Sequence, residues 1–213
     1  MLLVGRSTIG GVTVTRGRPR TFDRAEALAV ATRLFWERGY HATSLSDLTA
    51  AMGIRSASLY KAFGDKEALF REVVDAYAAT PTAQFAHRAL DEERSARAAF
   101  ARILREAALN YTDRDRHPPG CLVITAATNI TEQDSAIEAY LRGLRNANLA
   151  TFRSRLAAAR EDGELPGDTD VDALANYFAT VIQGLSQRAR DGADGATLAQ
   201  VAELAMSAWP QAR

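Results

Sequence analysis

Cysteine occurs once in the 213 residues, at Cys121. A lone thiol excludes an internal disulfide framework and fits a reducing compartment, so a cytoplasmic protein is expected. Long apolar runs are missing too. No window reaches the roughly 18 consecutive apolar residues of a membrane-spanning helix, and no membrane partner is expected. Residues 1–15 lack a basic stretch followed by a long apolar run, which makes them a poor signal peptide; a disordered tail is expected there. Histidine is scarce and scattered, at His41, His87 and His117, with neither His-x-x-x-His nor Cys-x-x-Cys spacing. Neither a metal nor a cofactor is therefore expected. The acidic run Asp91-Glu92-Glu93 reads as a solvated face rather than a catalytic cluster. Sustained alternation of β-branched residues is absent, which excludes a sheet and any phosphate-binding loop that would follow a strand. Nothing converges on a catalytic constellation, so an enzyme is not expected.

What is present is ordinary globular composition, 47% hydrophobic and 24% charged, with charge distributed unevenly. Net charge is zero, but residues 1–80 carry 11 Lys+Arg against 8 Asp+Glu, and residues 81–213 carry 15 against 18. The two lysines, Lys61 and Lys66, lie in the first part, and Arg16, Arg18 and Arg20 cluster ahead of the first helix. A modest positive field at one end suits phosphate, although so small an imbalance also fits a solvated surface.

Helical periodicity fills the remainder. Asp23 opens a first helix as its cap, with Glu26 completing a capping-box-like pair. Ala27, Val30, Ala31, Leu34 and Phe35 give that helix one apolar face, and Gly39 ends it. A second helix begins at Thr43 or Ser44 and buries Leu45, Leu48 and Met52. Gly53 supplies a turn, and a third helix over residues 56–63 turns Leu59 and Phe63 inward. Asp65 caps a longer helix from Lys66, which Pro81 is expected to end or kink. Further helices are predicted over 82–92, 95–113, 121–129, 133–161, 171–190 and 196–208, making an all-α chain of nine or ten helices.

Two short helices joined by a glycine turn form the helix-turn-helix, whose second helix enters the DNA major groove. Arg55, Ser56, Ala57 and Ser58 open that second helix, where side chains reach base edges. Arg55 can pair with guanine, Ser56 and Ser58 can donate or accept, and Ala57 leaves room for a thymine methyl. Tyr60 and Lys61 follow one turn later, suited to phosphates. Thr43 and Lys66 stand at helix starts, where free N–H groups attract phosphate.

The stretch GRPRTF…LFWERGYHATSLSDLTAAMGIRSASLYKAFGDKEALF closely resembles the TetR family of bacterial transcriptional repressors over residues 17–72. The specific elements are Phe35, Gly39-Tyr40, Thr43, Gly53-Ile54, Ser58-Leu59-Tyr60, Phe63 and Lys66-Glu67. The resemblance implies a double-stranded operator, a homodimer on a palindromic site, a small-molecule effector, and DNA contacts at the positions just named. Arg55 departs from the family's usual Ser or Thr cap, so Ser56 is expected to cap instead; Ala62 replaces a usual aromatic. Gly17-Arg18-Pro19-Arg20 resembles a minor-groove arm, and Arg18 and Arg20 are read either so or as a leader that raises nonspecific affinity.

The expected division is a basic tail over 1–20, a DNA-binding domain over 21–66 and an effector-binding and dimerisation domain over 67–213. Tyr111, Cys121, Thr125, Thr128, Asn129, Tyr177 and Gln183 are candidate liners of the effector pocket. Cys121, at a helix start after Pro-Pro-Gly, is either an activated thiolate that senses oxidants or electrophiles, or a small residue filling a helix junction, which is the preferred reading. The stripes Val171-Leu174-Phe178-Val181-Ile182-Leu185 and Leu198-Val201-Leu204-Ala205-Trp209 are either a four-helix dimer interface, as the resemblance suggests, or ordinary core. A ligand-binding helical module without operator binding is the alternative of a different class; the intact Tyr60, Lys61 and Lys66 argue against it.

Overall fold

The computed structural model describes residues 23–126 and 134–211. Arg18, Arg20, Thr128 and Asn129 lie outside them. Among the described residues there are ten α-helices and no strand. They are α1 (Arg24–Arg38), α2 (Leu45–Met52), α3 (Ser56–Phe63), α4 (Lys66–Ala78), α5 (Pro81–Glu92), α6 (Ala96–Thr112), α7 (Leu122–Thr125), α8 (Ser135–Glu161), α9 (Val171–Arg190) and α10 (Gly195–Ala205), with a closing 3-10 turn at Met206–Ala208.

Local chemistry sets most of these boundaries. The Asp23 carboxylate accepts from the amides of Ala25 and Glu26, and Asp65 accepts from Ala68. Ser44, not Thr43, caps α2: its hydroxyl accepts from the Asp47 amide while the Asp47 carboxylate accepts from the Ser44 amide. This reciprocal box stabilises the helix start, and Ser44→Ala should cost about 1 kcal/mol in thermal or urea unfolding. A loss below a few tenths would show that the surrounding packing already holds the turn. Pro81 does not kink α4. That helix stops at Ala78, Thr80 caps anew through the Ala83 amide, and Pro81 occupies the first position of α5, where its missing N–H costs nothing. The expected helix over 121–129 is only four residues long within the described chain.

Two cores form. The first is made by Phe35, Leu48, Leu59, Phe63 and Phe70 of α1–α4, and its packing does not stop at residue 66. Leu69, Val73, Val74 and Tyr77 of α4 belong to it, as do Leu122 of α7 and Ile137 and Leu141 of α8. At its centre the Phe70 ring lies 5.0 Å from both Phe35 and Tyr40, edge-on to each. The second core joins α5, α6, α9, α10 and the far half of α8 around Phe100, Phe152, Phe178 and Trp209. α8 is 27 residues long, about 40 Å, and is the strut common to both. Polar ties add to it. The Arg190 guanidinium at the end of α9 donates to the carbonyls of Trp36 and Glu37, satisfying the end of α1, and Trp36 stacks on His117 at 4.8 Å.

The apolar stripe of α9 is mostly internal: Val171, Leu174, Phe178, Ile182 and Leu185 are buried within this chain. In the other stripe Leu198, Ala205 and Trp209 are buried as well, whereas Val201 and Leu204 remain 44% and 72% exposed.

Candidate nucleic-acid interface and adjoining cavity

α3 is fixed from beneath and free above. Leu59 and Phe63 are buried, whereas Arg55, Ser56, Ala57, Ser58, Tyr60 and Lys61 are all exposed. The preceding Gly53 takes a left-handed φ of 66°, and its amide and that of Ile54 close the turn onto Ala50 and Thr49. Arg24 holds the far end of α3. It donates to the Ala62 carbonyl, pairs bidentately with Glu72 at 2.6 and 2.7 Å, and covers the Phe63 ring. Arg55 is the N-cap of α3 and makes no side-chain cap bond, so Ser56, the first helical residue, does not take that role. The Ser58 and Leu59 amides turn back to the Arg55 carbonyl, which leaves the first amides of the helix facing outward. No ion-pair partner meets Arg55 or Lys61 among the described residues.

Two of the expected phosphate contacts sit differently. Thr43 is fully buried, and its hydroxyl donates to the Gly39 carbonyl at 2.8 Å. It stitches the loop between α1 and α2. Lys66 is half-buried, with Nζ 4.2 Å over the Tyr40 ring. Burial lowers its pKa and Asp134 partly opposes that, so its ammonium serves the packing of α4 on Tyr40 as well as any phosphate.

Between the two cores lies a cavity of about 530 Å³. Tyr111, Cys121 and Gln183 line it. Thr125 does not: it is buried, its hydroxyl directed at the Leu122 carbonyl. Tyr177 lies on a separate cleft beside Pro166 and Asp168, where its hydroxyl donates to the Ala205 carbonyl. Further residues lining the cavity, not singled out from the sequence, are Tyr77, Phe85, Arg145, Asn148 and Phe152. One signal for them was present. Along α8 the positions Leu141, Leu144, Arg145, Asn148, Leu149 and Phe152 follow helical spacing, and two polar residues interrupt an otherwise apolar stripe.

Cys121 is a wall of this cavity rather than an activated nucleophile. Its Sγ accepts from the Tyr77 hydroxyl at 3.4 Å. Burial pushes the thiol pKa up, against the smaller opposing effects of that hydrogen bond, the α7 amides and Arg145. The same burial raises Tyr77 and Tyr111, so all three groups are protonated at neutral pH. Among the described residues no group of three or more His, Cys, Asp or Glu could hold a metal ion, and no helix is long and apolar enough to cross a membrane.

Comparison with known proteins agrees with this arrangement. Residues 27–73 match the family described as "Bacterial regulatory proteins, tetR family", and residues 99–205 match "Tetracyclin repressor-like, C-terminal domain". The chain is 36% identical over 200 residues to the HTH-type transcriptional repressor ComR of Escherichia coli, covering 94% of this chain and 95% of that protein. It is 30% identical over 178 residues to the repressor BdcR of the same organism, covering 83% of each. Among solved structures, a cysteine-substituted variant of the TetR family transcriptional regulator CifR, complexed with 26-bp double-strand operator DNA, superposes with a TM-score of 0.84 at 43% identity. It covers 91% of this chain and all of that one. With its helix-turn-helix exposed on one side and a helical body behind it, this chain belongs to the TetR family of bacterial regulatory proteins and is a DNA-binding transcriptional regulator rather than an enzyme.

Proposed function

We propose that the chain is a cytoplasmic, dimeric repressor that holds a palindromic operator through α3 and leaves it when a small molecule fills the cavity. The observation that carries this is the outward face of α3, where Arg55, Ser56, Ala57, Ser58, Tyr60 and Lys61 stand exposed over buried Leu59 and Phe63. The dimer would form on what α9 and α10 leave uncovered, with Tyr177, Val201 and Leu204 as its exposed apolar residues. Two recognition helices would then sit about 34–36 Å apart, one turn of DNA. The link to the cavity is α4. Tyr77 at its end is a cavity wall, and Lys66 at its start supports the DNA-binding end, about 17 Å away along the helix. A ligand that favours one placement of α4 by about 1–3 kcal/mol changes operator affinity 5–150-fold.

The test is a gel shift on the chain's own upstream region over a range of salt. Affinity should fall with a log–log slope near −0.9 per neutralised phosphate. Lys61→Ala should flatten that slope by about one and weaken all sequences alike. Arg55→Ala should relax specificity at one symmetric base pair by roughly 1–3 kcal/mol. A selection that returns an unchanged operator for the Arg55 variant would make that residue a backbone contact. A chain that binds no DNA at low salt would remove the proposal.

A further inference from the structure

The middle of α8 carries a cation, Arg145, on which the only acidic group acting among the described residues is Glu138, already paired with Arg142. Arg145 is half-buried in the cavity wall, and among the described residues its one hydrogen bond goes to the Val123 carbonyl at 3.2 Å. No carboxylate lies within ion-pair distance of it among the described residues. A guanidinium has five N–H donors, so most of its capacity is unused. Burial lowers its pKa, the mark of a cation held away from water, yet arginine stays protonated. The other cation at the cavity, Arg88, is already engaged: it donates to the Pro81 carbonyl at 2.9 Å and lies 3.7 Å from Glu106. Asp91 and His87, also on α5, are exposed. The cavity thus offers one available positive charge, with the Asn148 amide one turn further along α8 as a second donor.

The rest of the wall is apolar and aromatic. Tyr77, Phe85, Tyr111, Leu144, Phe152 and Ile182 surround the space, and Phe85 and Tyr111 meet edge to face with centroids 6.0 Å apart. A volume of about 530 Å³ suits a molecule of one or two rings. On the reading that this cavity is the effector site, we infer that its ligand is a small organic monocarboxylate with an aromatic or branched apolar body, its carboxylate paired with Arg145. A phosphate monoester carries nearly two charges and would leave one unmatched. A neutral ligand would leave the guanidinium with the Val123 carbonyl but no counter-charge, the costly state for a desolvated cation. The pairing is of the planar, two-bond kind in which arginine exceeds lysine.

The experiment is calorimetric titration of the full chain with naphthalene carboxylate and with its uncharged amide, which share shape and differ in charge. Wild type should bind the acid about tenfold or more tightly than the amide. Arg145→Gln should abolish that preference and leave amide binding in place, and Arg145→Lys should keep part of it. Arg142→Gln, on the exposed side of the same helix, should keep all of it. Binding of the acid should also slow maleimide alkylation of Cys121, the sole thiol, which locates the ligand in the cavity rather than on the surface. Equal binding of acid and amide, no binding of either, or an acid preference that survives Arg145→Gln in a folded variant would each overturn the inference. Acid binding at Arg145 that leaves operator affinity unchanged would uphold the site and refute effector control instead.

Discussion

Replacing Phe70 by alanine should weaken operator binding steeply, because it should destabilise the core on which the DNA-binding helices rest. Phe70 is fully buried and touches no solvent or nucleic-acid face. Its ring is the piece between Phe35 of α1 and Tyr40 in the following loop, 5.0 Å from each. Truncating a buried phenylalanine costs about 3–5 kcal/mol, a large part of the roughly 5–15 kcal/mol that holds a domain folded. The damage should reach the surface through Tyr40, which is also the platform under Lys66. Urea unfolding followed by circular dichroism should show the midpoint falling in proportion. Phe70→Leu, which keeps most of the volume, should cost under about 1.5 kcal/mol and retain DNA binding. A Phe70→Ala protein that loses less than about 1 kcal/mol and still shifts operator DNA would show that the aromatic trio does not hold this unit together.

The second large effect should come from Gly120→Ala, in the turn ahead of α7. Gly120 has a φ of 83°, left-handed, where an alanine is strained by about 1–2 kcal/mol. Space is missing as well. An added Cβ would lie 2.9 Å from both the backbone carbonyl oxygen and the hydroxyl of Ser186, and 3.1 Å from Thr125 Cγ2. The carbonyl belongs to α9 and cannot swing aside as a side chain could. The neighbouring bonds are tight: the Gly120 amide donates to the Tyr111 carbonyl and the Cys121 amide to the Ser186 hydroxyl, each at 2.9 Å. Strain and overpacking together should cost roughly 2–4 kcal/mol. Because this turn delivers Cys121 to the cavity, the variant should also alkylate faster at that thiol. Ser186→Ala is the companion measurement. It adds no clash but leaves the part-buried Cys121 amide without its acceptor, for about 1–3 kcal/mol. A Gly120→Ala melting temperature equal to wild type would mean that α7 yields easily.

The contrast between these sites shows what a sequence makes legible. The starts of α1 and α4 were readable because capping is local: Asp23 and Asp65 each act within three residues of themselves, whereas Ser44 was one of two candidates and the uncapped start of α3 at Arg55 was not foreseen. The span of α3 followed for the same reason, from Gly53 before it and Gly64 after it. The burial of the Thr43 side chain was not readable, because its hydroxyl turns back to Gly39, a choice that spacing alone does not distinguish from exposure. The stripe on α9 was read correctly as apolar. Periodicity marks such a face but not what covers it, and here α6, α8 and α10 of the same chain do. The cavity was the least legible part. Its walls come from α4, α5, α6, α7, α8 and α9, so only folding brings Tyr77, Cys121 and Arg145 together.

The pairing of Trp36 with His117 has a spectroscopic consequence. The chain holds two tryptophans. Trp36 belongs to the first core and Trp209 to the second, where it sits 5.9 Å from both Phe100 and Phe178. Each half of the protein therefore carries its own intrinsic fluorophore. Trp36→Phe and Trp209→Phe yield single-emitter proteins that watch the two halves separately during denaturation. With α8 rigidly shared, both emitters should report one coincident transition, the signature of a single cooperative unit. Shortening α8 by a turn between Leu141 and Phe152 should split that transition in two, with the half that loses emission first naming the weaker partner.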